Sequence, residues 1–286
     1  MKRLVFAAAA ALPMLAASPA MAEDHNSHMA AGTDHAARHA LMQAAAAEWR
    51  GDDRARDQHR HPVETLMFFG VKPGMTVVDY FASPGWYAKI LVPYLGEEGT
   101  YIGAIKTLSF ASEKARATQD AFAKTFPRDL GAEMDAAGVT GRARFLGLNT
   151  NAIPEEMKGT ADRVLVFRMM HNMKRWNLAH EELGNIRSLL KDDGMLGIVQ
   201  HRAKDDAPYD YANGDNGYLR QDDVIKLVEA HGFKLVGMSE INANPRDTAD
   251  HDGGVWQIPP IWSSKDEAKK AIGESDRMTL LFKKAG

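Results

Sequence analysis

The 286-residue sequence contains no cysteine. Disulfides, thiolate metal sites and cysteine nucleophiles are therefore excluded, and the fold depends on its core alone. The chain also lacks a surplus of either charge: 35 Lys and Arg stand against 38 Asp and Glu, a formal net charge of −3, with no dense basic stripe in either half. That pattern offers nucleic acid no electrostatic footprint, and no nucleic-acid partner is expected. Past the N-terminus no segment approaches the roughly 20 apolar residues of a spanning helix, so the mature chain is expected to carry no integral membrane segment. No internal repeat is visible. What remains is an ordinary globular composition, 45% apolar and 26% charged, enough for one large domain or two small ones.

The chain opens MKRLVFAAAAALPMLAASPAMA. Lys2 and Arg3 before an apolar stretch from Leu4 to about Leu15, then Ala20-Met21-Ala22, form the pattern of a signal peptide over residues 1–22. Export, with a periplasmic location, is the expectation. Residues 23–60 form a His- and Ala-rich extension, expected to be flexible to about Gly32 and helical from His35 to Trp49, with Leu41, Ala45 and Trp49 on one face. His25, His28, His35, His39, His59 and His61 gather ahead of the body. Imidazoles bind zinc, copper or nickel, but no fixed ligand set with carboxylate support stands out, and no metal site is assigned.

From His61 onward strands and helices alternate. His61-Pro62 starts a helix that Gly70 ends. TVVDYF is a buried strand, Pro84-Gly85 turns into a helix from Trp86 to Leu95, and GTYIGAI is a second strand. A helix is expected from Glu113 to Phe126, then strands at RARFLGL and ADRVLVFRMM, a helix from Asn177 to Leu190, and a strand in KDDGMLGIVQHRA. RQDDVIKLVEAHGF is an amphipathic helix; KLVGMSEI and DRMTLLFKK are the last strands. This alternation predicts, for residues 61–286, an α/β domain whose mainly parallel sheet is covered by helices on both faces.

RDQHRHPVETLMFFGVKPGMTVVD, DRVLVFRMMHNM, LLKDDGMLGIVQHRA, SEINANPRDT and ESDRMTLLF, in that order, resemble the class I S-adenosylmethionine-dependent methyltransferases, most of all an exported bacterial group of predicted methyltransferases. The resemblance covers residues of about 62 to 284 and implies a Rossmann-like methyltransferase fold with a seven-stranded, mostly parallel sheet. It implies S-adenosylmethionine as cofactor and a small molecule as substrate. In such enzymes the first strand ends in an acid followed by alternating glycines, because the cofactor passes so close to the backbone that a Cβ would collide. Asp79 matches the acid; the glycine positions hold Phe81, Ser83 and Gly85, and only the last agrees. The resemblance places the cofactor against Asp79, Ser83, Gly85 and Asn149. The end of the second strand, where a carboxylate normally takes the ribose hydroxyls, has Lys106 and no acid.

His171 and His201 follow the fourth and fifth strands, where the substrate would lie, and either could take the acceptor's proton as general base. Each could equally be a structural histidine. Arg60 and His61 form a candidate lid across the cleft, or simply lead into a helix. Arg246 and Asp247, in the long polar segment 241–260, could line the same cleft or pair with each other. Two functions follow: methyl transfer to a small molecule, or an exported protein that binds a small ligand or metal on a degenerate methyltransferase fold without methyl transfer.

Overall fold

The computed structural model describes residues 31–285. The signal-peptide pattern, His25 and His28 lie outside the described residues.

Seven strands form one sheet: β1 (Thr76–Tyr80), β2 (Thr100–Ile105), β3 (Arg144–Asn149), β4 (Ala161–Phe167), β5 (Leu190–His201), β6 (Phe233–Ser239) and β7 (Arg277–Lys284). Their spatial order is β3-β2-β1-β4-β5-β7-β6. β1 to β5 run parallel, and β7 is antiparallel to both β5 and β6. This is the expected mostly parallel sheet.

The strands are apolar on both sides because helices cover both. Val77, Tyr101, Leu165, Phe167 and Val199 face one layer, packed with α1 (Ala31–Ala46), α3 (Pro62–Phe68) and α4 (Ala88–Leu95). Val78, Tyr80, Ile102, Val164 and Ile198 face the other, with α6 (Met170–Arg175), α7 (Ala179–Leu189) and α8 (Gln221–Glu229). The period of two along β1 thus splits Val77 from Val78.

The segment before the body is fixed to it. Leu41, Ala44 and Ala45 of α1 are buried in the first layer. Arg50, in the 3₁₀ segment Glu48–Arg56, makes two 2.8 Å bonds to Asp57, in the short helix α2 (Asp57–Arg60). The Trp86 indole donates to the Asp53 carbonyl at 3.0 Å. The guanidiniums of Arg50 and Arg60 lie 5.0 and 4.5 Å from the Trp86 ring centre, a cation–π arrangement that ties this segment to the turn after β1.

Two expected boundaries are corrected. The helix after β2, α5, runs from Glu113 to Ala136, straight through Pro127. A proline removes one backbone donor and crowds the preceding turn. Here Phe122, Phe126, Leu130 and Met134 recur every fourth residue and all pack inward, so continued burial outweighs the local loss. The helix lies close against β3: a Cβ at Gly147 would collide with the Ala123 backbone. The strand read as ADRVLVFRMM also ends early, at Phe167, because Arg168 turns into the left-handed region at φ 56° and Met170 begins α6. A short helix α9 (Glu267–Ile272), outside the expected elements, precedes β7.

Candidate functional site

The sheet order reverses between β1 and β4, which leaves a crevice at their carboxyl ends. The turn after β1 enters it. Phe81, at a position where glycine is expected, nevertheless holds φ at 60°, and Gly85 holds 97°. Hydrogen bonds from the Phe81 and Ala82 amides to the Ala104 carbonyl, 2.8 and 3.2 Å, pin the start of the turn to β2. Ser83 is exposed. Gly85 answers a torsional and a packing need: a Cβ there would sit 3.3 Å from Phe126 on α5. The Phe81 ring lies 6.4 Å from Trp176, which lies 5.6 Å from the exposed Phe110. Aromatic side chains following β1, β2 and β4 thus share one rim of the crevice.

Asp79 is buried one residue short of the strand's end, and its carboxylate accepts from the Tyr101 hydroxyl at 2.9 Å. Burial pushes its carboxyl up to about 7, against the opposing influence of the Tyr101 bond and of Arg168. Tyr87 stacks on Phe167, ring centres 3.6 Å apart, and burial pushes its phenol up to about 12.

His171 and His201 come together. Their ring centres are 5.6 Å apart, and both are buried. His171 Nδ1 lies 3.3 Å from Gln200 Oε1, while Gln200 Nε2 donates to the carbonyls of Gly217 and His201 at 2.8 and 3.3 Å. An amide whose nitrogen is so committed presents its oxygen to the ring. Nδ1 of His171 therefore carries the proton, and Nε2 keeps its lone pair without a partner among the described residues. Burial lowers this imidazole to about 4, with Arg175 and Arg168 adding to the effect and the Gln200 bond opposing it. His201 Nδ1 contacts the Ser275 hydroxyl at 2.5 Å, and burial holds this ring well below the usual histidine value. Both rings are neutral at pH 7, the form a general base requires.

Beside them lies a basic cluster. Arg56 and Arg60 reach Glu274 at 2.6 and 3.4 Å, and Arg277 reaches it at 3.2 Å. Burial works against ionising Glu274, but Arg60, Arg277, Arg168 and Arg56 hold its carboxyl down at about 2. Arg168, partly buried after β4, has no hydrogen bond or ion pair from its side chain among the described residues. Burial lowers it to about 10, and lowers Arg60 to about 9. The Arg168 charge acts through space on Asp79, Arg60, Tyr87, His171 and His201.

The remaining candidates divide. His61 occupies the left-handed junction between α2 and α3, at φ 41°. Arg246 and Asp247 do not pair: Arg246 donates to the Ala271 carbonyl at 3.2 Å, next to Gly273 and His59. Asp247 is buried and accepts from Tyr218, His251 and the amides of Ala249 and Asp276, each at about 3 Å, which occupies both its oxygens. Asn149 donates to Thr107 Oγ1 at 2.7 Å and accepts from the Asn151 amide at 3.1 Å. Its amide is committed to the loops following β2 and β3.

Three participants were not singled out in the sequence: Arg168, Glu181 and Glu182. Lys106 at the end of β2 bonds Glu181 and Glu182 of α7 at 2.7 and 3.1 Å. The carboxylate missing from β2 is brought there by a distant helix. Glu182 is fully buried and also accepts from Thr150 and Asn185 at 2.8 and 3.0 Å, whereas the Glu181 side chain is 55% exposed.

No family model and no curated protein matches the chain. Solved structures do. The chain is similar to a putative sarcosine dimethylglycine methyltransferase from Galdieria sulphuraria, with TM-score 0.51, 11% identity and coverage of 80% of this chain and 84% of the other. It is similar to the [4+2]-cyclase SpnF, with TM-score 0.51, 12% identity and coverage of 79% and 80%. A SAM-dependent methyltransferase from Aquifex aeolicus aligns with TM-score 0.49, 19% identity and coverage of 67% and 89%. The two likenesses at TM-score 0.51, together with the sheet order, give the chain the Rossmann-like methyltransferase fold. A cyclase among these neighbours makes plain that the fold alone does not fix the reaction.

Proposed function

We propose that the chain is an S-adenosylmethionine-dependent methyltransferase of a small molecule, with the donor against the turn after β1 and the acceptor beside His171. The observation that carries this reading is the turn itself. Phe81 and Gly85 both keep positive φ, so the backbone path survives the loss of two of the three expected glycines. The other residues at the crevice fit such a donor. Phe81, Phe110 and Trp176 offer aromatic faces to a sulfonium or an adenine ring. Glu181, half-exposed and held by Lys106, supplies an acceptor for ribose hydroxyls.

The donor, when bound, supplies an electrophilic methyl group, and the protein's contribution is alignment, exclusion of water and custody of a proton. The unprotonated Nε2 of His171 would take the acceptor's proton, while Gln200 holds the ring in the required tautomer. The segment 203–219, with residues around Val255, forms a small apolar cluster, and Trp256 lies 6.2 Å from the His171 ring, shielding this side from solvent. Export after Ala22 belongs to the same proposal, and N-terminal sequencing of the periplasmic protein checks it.

Calorimetric titration of the full chain with S-adenosylmethionine and with S-adenosylhomocysteine tests the reading. Micromolar binding that weakens in Glu181→Gln is expected. Absence of binding in protein shown to be folded overturns it, and the ligand-binding alternative then takes its place.

A further inference from the structure

The basic cluster at the carboxyl ends of β4 and β5 and the start of β7 carries more positive charge than the side chains around it balance. Among the described residues Arg56, Arg60 and Arg277 share Glu274 as their one bonded carboxylate, and Arg168 is bonded to none, feeling Glu274 only through space. Buried cations are ordinarily paired, because removing them from water without a counter-charge is costly. The nearby groups do not make up the deficit. Burial works against ionising Asp79, and its carboxyl already accepts from Tyr101. His171 and His201 are neutral. Arg56 Nη2 is buried without any hydrogen-bond partner, a second donor of the cluster left unanswered. Arg60 does not escape to solvent either, since its guanidinium is buried over Trp86.

A guanidinium is weakly hydrated, planar and always charged, and it matches carboxylate and phosphate oxygens in pairs. We propose that Arg168, flanked by Arg60 and Arg277, forms an oxyanion-binding site and that, on the methyltransferase reading above, this site holds the carboxylate or phosphate of the methyl acceptor. Placement supports the acceptor over the donor. The donor's turn follows β1, whereas Arg168 follows β4, and Arg277 pairs in register with His201 at the end of β5. An anion on Arg168 would also set the acceptor next to Nε2 of His171, three residues further along the chain. Substrates without a negative group would leave the guanidinium unpaired, which makes the cluster a device for selectivity as well as affinity.

The experiment titrates the folded full chain with propionate and with inorganic phosphate, at constant ionic strength, with the isosteric neutral propionamide as control. Saturable heat and a rise in Tm for either anion, with neither for propionamide, are expected. Binding should weaken by about tenfold or more in Arg168→Gln and return in part in Arg168→Lys. Arg60→Gln, read in the same way, covers the case in which Arg168→Gln does not fold. The titration is repeated with S-adenosylhomocysteine at saturation. Anion binding that persists supports the acceptor assignment, and competition between the two overturns it. No saturable binding of either anion overturns the site itself. Anion binding in protein that takes no S-adenosylmethionine removes the methyltransferase reading, and with it the acceptor assignment, while the oxyanion site stands.

Discussion

Gln200 holds His171. Its side-chain oxygen lies 3.3 Å from Nδ1 of the imidazole, and its nitrogen is spent on two backbone carbonyls, so the amide cannot turn around without losing them. This relationship leaves the imidazole one defined lone pair, at Nε2.

The pH profile follows from it. With burial lowering His171 to about 4, the proposed methyl transfer, if His171 is its base, should lose rate on the acid side only near that pH. Gln200→Glu places a carboxylate against the same nitrogen, which favours the imidazolium and raises its pKa. The acid limb should move upward by a unit or more, in a plot of kcat/KM against pH. A limb that stays in place would remove His171 as the base.

Asp79 makes a stability prediction of opposite sign. Its folded pKa, about 7, lies above its ordinary value of 3.8, so its favourable contribution is complete below about 3.8 and is lost as pH rises through 7. Ionising it in place costs on the order of 3 kcal/mol at alkaline pH. Asp79→Asn still accepts from Tyr101 and has no charge to bury. The variant should therefore unfold at higher temperature than the parent at pH 8.5, and the two should converge toward pH 5.

These groups also mark where reading the sequence succeeds and where it stops. The alternation of strands and helices is a local signal, and β1 to β7 lie where their apolar runs stand. Helix α5 was cut short at Phe126 because Pro127 is a local breaker, whereas the burial that carries the helix past it comes from the sheet beneath. That His171 and His201 lie together is legible in the sequence, because they follow two strands that end at the same edge of a parallel sheet. Arg168 is not legible in this way, because inside an apolar run it reads as strand, and only its turn at φ 56° reveals otherwise. The partners of Arg60 and Lys106 are 214 and 75 residues away, at Glu274 and Glu181. No periodicity encodes such pairings.

Lys106, buried just past the end of β2, is worth more to the fold than a lysine in a loop usually is. Glu182, to which it is bonded at 3.1 Å, has no exposure to water. Lys106→Met would remove the cation and leave the carboxylate buried with neutral partners, among them Thr150, Asn185 and Tyr80. Breaking a buried pair from one side costs roughly 3–5 kcal/mol. Urea denaturation should show a loss of that size, and the double variant Lys106→Met, Glu182→Gln should recover a good part of it.

Glu274 should govern the protein's acid tolerance. Burial alone would raise its carboxyl, yet Arg60, Arg277, Arg168 and Arg56 reverse the effect and bring it from 4.5 to about 2. A depressed carboxyl contributes stability that is fully present above about 4.5 and disappears as pH falls toward 2. The amount is on the order of 3 kcal/mol. Glu274→Gln removes the only carboxylate bonded to Arg56, Arg60 and Arg277 among the described residues, so it should be strongly destabilising at pH 7, where the parent benefits in full. Near pH 2 the parent's own carboxyl is half protonated, and the gap between the two should narrow. If a bound oxyanion shares these arginines, added phosphate at pH 7 should restore part of the variant's lost Tm while shifting the parent's less. Thermal unfolding of both proteins between pH 7 and pH 3, with and without phosphate, measures all of these at once; a gap that stays constant with pH would mean that Glu274 acts through packing and not through its charge.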